Sequence, residues 1–452
     1  MEQVIAPNLV AYRRGRNIPF FIMILLFLPM LFIRMHTFPI IPGKLNLAIG
    51  EPLFFICMTL LLLDKWNLNK ILNTPFTKYW AIFFFYGTWN LIMSIKYYKN
   101  GLGFALGVYL NLCIYPLSYF LGYHYFKTTK HLKNYYYIVT TLVILFTPLA
   151  AFYLKFHIGD KAAYFQFFDH YEAWAISYLV FIALSRYFIY KKMSWADKIF
   201  AFMAGLIIII CNRRGIWIST FMSSFVAYYV SAKTFSFSYL LRIFSYVALF
   251  VGGFFLMTRI APDNFIIKSV DDRVEQTIQN FENPTEFGDN TIAWRLLIYA
   301  ASIKVFAEHP ILGKGIGFQP TVVFPKGTDL YNEREGVAFH DLIVAFLTTM
   351  GVVGLILYFV LHLNFIFKIL RDKNVLPPER RPYIVAMFCQ YLSACIWSIA
   401  SNDLWSNADL VIIAFLLMGA VSQQWVQGKI AAYENETTTP KTEVNTQELV
   451  TA

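Results

Sequence analysis

Charge is scarce in this chain: Asp, Glu, Lys and Arg make up 14% of its 452 residues. A soluble globular domain carries roughly a quarter charged residues, so that class is excluded. Cysteine is scarce too. Cys57, Cys113, Cys211, Cys389 and Cys395 fall in or at the ends of apolar stretches, without a CxxC pair. They read as small core residues, and leave neither a disulfide framework nor a cysteine metal site. No HExxH occurs, and no DxD lies in a segment expected outside a membrane; the adjacent Asp271 and Asp272 read as a solvated helix face. The expectation is no catalytic metal and no cofactor. No internal repeat is visible.

What is abundant is apolar: 58% hydrophobic residues, with 45 Phe and 29 Tyr. Runs of about 20 such residues cross a bilayer as helices. Twelve spans are predicted, over 18–34, 46–63, 79–95, 102–122, 136–154, 172–190, 196–211, 215–231, 239–258, 341–367, 382–400 and 409–427. The first follows "YRRGR" but has no small-residue cleavage site, so it is a retained helix rather than a signal peptide. The fold class is therefore an all-α polytopic membrane protein.

The net charge of +11 invites a nucleic-acid reading, but in such a chain topology explains basic loops first. With the N-terminus inside, 22 of the 38 Lys and Arg residues fall in cytoplasmic segments. That bias predicts both termini inside. The chain divides into spans one to nine (1–258), an outer helical loop (259–340), spans ten to twelve (341–427) and a polar, disordered cytoplasmic tail (428–452).

Residues 211–219, "CNRRGIWIS", set two arginines inside a lipid-soluble stretch. One helix over 198–231 would run about 50 Å at 1.5 Å per residue, too long for a hydrocarbon core of about 30 Å. It would also put the basic segments flanking it on opposite sides. A hairpin puts both inside and lifts Arg213 and Arg214 to the outer rim, with Gly215 permitting the turn. Interfacial arginines can simply snorkel to headgroups. A pair on a short outer turn also matches phosphate oxygens bidentately, which suggests an anionic headgroup or a pyrophosphate.

In the outer loop, "SVDDRVEQTIQNF" reads as a short amphipathic helix and "DNTIAWRLLIYAASIKVFAEHP" as a second, capped near Asp289 to Thr291 and stopped by Pro310. Arg295, Tyr299 and Ser302 share one stripe of it. "HPILGKGIGF" is either a backbone nest for an anion or a glycine turn closing the helix, and the turn is the stronger reading. At "FHDLIVAFLTTMGVVG", Asp341 is a capping group. His340 is then either a boundary residue or, at a helix N-terminus that disfavours imidazolium, a neutral ring able to take a proton.

These phrases together resemble the O-antigen ligase and polymerase family of bacterial envelope enzymes. The resemblance rests on the twelve spans, "NRRGIWIS", "AWRLLIYAASIKVFAEHPILGKGIGF" and "FHDLIVAFLTTMGVVGL"; Asp341 stands where many relatives have Asn. It implies a fold of the GT-C type and a glycan donor on undecaprenyl pyrophosphate, used at the periplasmic face of a Gram-negative inner membrane. Ligase activity, joining O-antigen to lipid A-core, is preferred over polymerase, and a lipid-glycan flippase is the alternative from another class. The chemistry then assigns Arg213, Arg214 and Arg295 to the departing pyrophosphate, with Tyr299 beside them as a substrate contact. His340 becomes the acceptor base. Arg34, with Lys44, Lys96 and Lys99, is available for phosphates of the acceptor. The partners expected are the lipid-linked donor, lipid A-core and membrane lipids, with no nucleic acid.

Overall fold

The computed structural model describes residues 20–30, 38–41, 45–47, 50–65, 67–94, 102–156, 170–210, 214–232, 241, 291–323, 333–334, 339, 341–401, 404 and 407–438. The architecture is helical. Among the described residues the strands are two short antiparallel ribbons, Phe38–Ile41 with Leu45–Leu47 and Val322–Val323 with Glu333–Arg334.

Among the described residues, five helices are long and apolar enough to cross a membrane: Leu102–Tyr125, Tyr171–Tyr190, Gly351–Arg371, Arg381–Ile399 and Ala408–Asn435. The protein is a multi-pass membrane protein. Helices also stand where other spans are expected, at Phe20–Met30, Gly50–Lys65, Thr77–Met93, Thr129–Phe156, Trp195–Ile210 and Arg214–Ser231. The expected span over 239–258 lies outside the described residues. One boundary is corrected: the stretch expected as a single span over 341–367 is two helices, Leu342–Thr349 and Gly351–Arg371. The last helix continues to Thr438, past the expected end of its span.

Ala408–Thr438 is the central helix; past the buried Asp409 of its first turn it is apolar all round from Leu410 to Val421 and enclosed accordingly. Helix Leu102–Tyr125 crosses it at backbone contact. A Cβ added to Gly122 would collide with the Leu416 carbonyl, and one added to Gly419 with the Tyr119 carbonyl. Lipid gives helices no hydrophobic reason to associate, so close dispersion contact through small residues does that work. Ser118 Oγ donates to the Ile412 carbonyl at 2.7 Å in the same seam. Pro116 lacks an amide and crowds the preceding turn. The helix accommodates it with a π turn at Leu110–Ile114 and a 3₁₀ turn at Tyr115–Leu117.

A second group joins His170–Tyr190, Arg214–Ser231 and Arg381–Ser401. Its polar node is the buried Gln390. The amide accepts from Tyr135 Oη at 2.7 Å and donates to the Ala175 carbonyl at 3.0 Å, while Trp174 Nε1 donates to the Gln390 carbonyl at 2.9 Å. An unpaired amide in that medium would cost several kcal/mol, so these partners are required, and they tie Arg381–Ser401 to His170–Tyr190 and to Thr129–Phe156. At the ends expected to be cytoplasmic, Lys373 Nζ donates to the Tyr229 and Ala232 carbonyls at 2.7 and 3.3 Å. A cation there satisfies the negative end of helix Arg214–Ser231.

Candidate functional site

The hairpin expected around the arginine pair is present. Helices Trp195–Ile210 and Arg214–Ser231 are separate, and Trp217 Nε1 donates to the Ile208 carbonyl at 2.8 Å. In one continuous helix those residues would be about 13 Å apart along the axis. Arg214 opens the second helix. That end is pinned from two sides: a Cβ on Gly215 would touch the Trp397 ring at 3.0 Å, and Tyr171 packs edge-on against the same ring at 5.4 Å. Ser393 Oγ donates to Ser219 Oγ at 2.9 Å one turn further in. The Arg214 backbone thus opens a helix whose first turn packs against Trp397. Its side chain, and all of Arg213, lie outside the described residues, as do Arg34 and His340.

The second predicted helix of the outer loop runs Thr291–Glu308. Its inward stripe places Ile298 and Ser302 in the interior, with Arg295 and Tyr299 half-buried. Tyr299 Oη donates to Asp341 Oδ2 at 3.2 Å, and the other carboxylate oxygen, Oδ1, accepts from the Val344 amide at 3.0 Å. Asp341 is therefore the N-cap of helix Leu342–Thr349. Burial is the main cause that raises the Tyr299 phenol above its ordinary range; Asp341 adds to this and Arg295 opposes it. At neutral pH the phenol keeps its proton and acts as a donor. Tyr299 thus touches Asp341 directly and lies in the field of Arg295 one turn away.

The glycine phrase after Pro310 is docked, backbone to backbone, on the break that divides the expected tenth span. Ending a helix at Thr349 and restarting it at Gly351 strands carbonyls on one side and amides on the other. Lys314 N donates to the Thr348 carbonyl at 2.9 Å and Gly315 N to the Thr349 carbonyl at 2.7 Å. In return, Val352 N and Val353 N donate to the Pro310 and Ile311 carbonyls at 3.0 and 3.2 Å. Gly351 has φ +66° and Gly313 φ +71°, the left-handed region where a Cβ is strained. A Cβ at either would also strike the other segment's backbone. The glycine turn is the correct reading of "GKGIG". The amides of Gly313, Lys314 and Gly315 are spent on the His309, Thr348 and Thr349 carbonyls rather than on an anion.

Two contributors to this arrangement went unnoticed in the sequence. Asn90 Nδ2 donates to the Leu312 carbonyl at 3.1 Å and the Thr349 carbonyl at 3.3 Å, and Tyr86 Oη donates to the Met350 carbonyl at 2.5 Å. Both lie on helix Thr77–Met93, one turn apart. The available signal was the amide itself: a lone Asn in an apolar run needs a partner.

Among the described residues no group of three His, Cys, Asp or Glu side chains stands together in a way that would hold a metal. Residues 199–359 match the model of a family described as O-antigen ligase. That stretch contains the hairpin, the Arg295 helix, the glycine turn, Asp341 and the helix break. No curated protein matches the chain.

Proposed function

Residues 199–359 belong to the O-antigen ligase family, and from that premise we propose that this protein transfers a glycan from undecaprenyl pyrophosphate to lipid A-core at the periplasmic face of a bacterial inner membrane. Such a transfer has two requirements. Negative charge developing on the departing pyrophosphate must be stabilised, and an acceptor hydroxyl must lose its proton. Arg213, Arg214 and Arg295 supply the cations, since guanidinium pairs with phosphate oxygens through a planar fork. His340 takes the proton. The acceptor oxygen attacks the anomeric carbon, and the bond from that carbon to the pyrophosphate oxygen breaks. Undecaprenyl pyrophosphate departs with the electron pair, and the anomeric centre inverts. No metal and no covalent intermediate take part.

The observation that carries this reading is the arrangement of Arg295, Tyr299 and Asp341 inside the family-matched stretch. Tyr299, one turn from the half-buried Arg295, is bonded to Asp341, the cap of the helix that directly follows His340 in sequence. The test is the envelope glycolipid profile of a deletion strain. Ligase loss leaves bare lipid A-core, with polymer still on undecaprenyl pyrophosphate. Single repeats attached to the core would instead identify a polymerase. Purified protein that forms the glycosidic bond without an ion gradient excludes a flippase.

A further inference from the structure

Asp341 does more than its position as a helix cap requires. A cap needs one side-chain oxygen to accept from the amide two or three residues on, and Oδ1 does this with Val344. The second oxygen, Oδ2, is held by Tyr299 from a helix 42 residues earlier in the chain. Tyr299 lies one turn from Arg295 on the same stripe, and Asp341 follows His340 directly. The single contact from phenol to carboxylate therefore links the helix carrying the proposed pyrophosphate cation to the terminus carrying the proposed acceptor base.

We infer that Tyr299 and Asp341 are a positioning pair: their hydrogen bond sets the Arg295 helix relative to the start of helix Leu342–Thr349, which His340 precedes in sequence, and neither side chain touches donor or acceptor. The inference rests on the roles proposed for Arg295 and His340, and it replaces a substrate contact for Tyr299. Donor capture needs the cations but not their spacing from the base, whereas the transfer step needs both at once. Loosening the pair thus lowers turnover and leaves donor affinity in place. A misplacement of about 1 Å at a reacting centre costs on the order of a hundredfold in rate.

The test uses purified full-length protein in proteoliposomes, with undecaprenyl-pyrophosphate-linked O-antigen as donor and lipid A-core as acceptor. Tyr299→Phe is expected to lower kcat about ten- to a hundredfold, with donor KM within about twofold of wild type. Asp341→Ala lowers kcat likewise, and the double variant is no worse than the poorer single, as for two residues acting through one link. Asp341→Asn keeps an oxygen for the Val344 amide and offers its own amide to the phenol oxygen, so it restores most of the turnover. Tyr299→Phe at the wild-type kcat overturns the inference. So does a raised donor KM at unchanged kcat, which would make the phenol a substrate contact, or an Asn variant as poor as the Ala variant. If Asp341→Ala does not fold, Tyr299→Phe and Asp341→Asn decide alone. Wild-type protein that transfers no glycan overturns the ligase reading and the pair with it; a competent wild type with an unaffected Tyr299→Phe overturns the pair only.

Discussion

Replacing Gly351 by alanine asks the most of this architecture, because one methyl acts on two supports at once. At φ +66° an alanine pays the left-handed penalty of about 1–2 kcal/mol. Its Cβ would also sit inside the Ile311 carbonyl and against the Gly313 amide, which are backbone atoms and cannot rotate away. The glycine turn must then lift, and the bonds whose atoms lie nearest the methyl are those from Val353 N to Ile311 and from Gly313 N to His309. Each is worth about 0.5–1.5 kcal/mol, so the total is about 2–5 kcal/mol. Gly205 is the matched control: it lies inside helix Trp195–Ile210, and a Cβ there meets nothing within 4 Å. Gly205→Ala should leave stability unchanged or raise it by about 0.5–1 kcal/mol, through helix propensity alone. The assay is thermal unfolding of the detergent-purified protein, followed in parallel with glycan transfer. A clear fall in the midpoint for Gly351→Ala, with none for Gly205→Ala, is expected. Equal midpoints for the two variants would refute the docked turn.

Other outcomes follow from the same arrangement. A cysteine placed at Thr328 should react with a membrane-impermeant thiol reagent added from outside; labelling only after the inner membrane is permeabilised would reverse the topology. Transfer should survive EDTA, because the proposed cations are guanidinium groups, and activity restored by added magnesium or manganese would contradict this. Arg214→Lys keeps the charge but loses the planar fork, so donor affinity and turnover should both fall, as they should for Arg295→Ala; wild-type kinetics in both would reduce the arginines to headgroup anchors. Asn90→Ala removes one donor to the Leu312 and Thr349 carbonyls, of which Thr349 keeps Gly315 N, and should cost about 0.5–1.5 kcal/mol for the lost hydrogen bonding, read as a lowered unfolding midpoint.

Helix positions were largely legible because apolar runs of bilayer length have few alternatives, and the hairpin at Arg214 followed from length and charge alone. The break at Gly351 was not. Its neighbours "TTMGVVGLILYF" continue the apolar pattern without a pause, and Gly354 in the same run lies within regular helix. What distinguishes Gly351 is a partner backbone that hydropathy cannot see. Asp341 was readable as a cap, since capping is local. Its bond to Tyr299 was not, because nothing in a period of 3.6 relates residues 42 apart. The glycine turn was assigned correctly for a local reason, and its docking partner was missed for a non-local one.

The loop helix and the broken span depend on each other. Without the turn, the Thr348 carbonyl and the amides of Val352 and Val353 would lose their partners, and of its two donors the Thr349 carbonyl would keep only Asn90 Nδ2. A buried polar group left unmade costs about 1–3 kcal/mol, so a solitary break would close into continuous helix. Without the break, Lys314 N and Gly315 N would have no carbonyls to meet. The exchange therefore fixes the C-terminal end of helix Thr291–Glu308, through Gly313 to Gly315, onto the far end of helix Leu342–Thr349. The bond from Tyr299 to Asp341 fixes the middle of the same helix onto the near end. A rod attached at two separated points cannot swing about either one. Arg295 lies a single turn beyond the second attachment, so its backbone has little freedom relative to Asp341. That is the geometry a proposed cation needs if its place is to be set before the donor arrives, rather than by the donor's own binding energy.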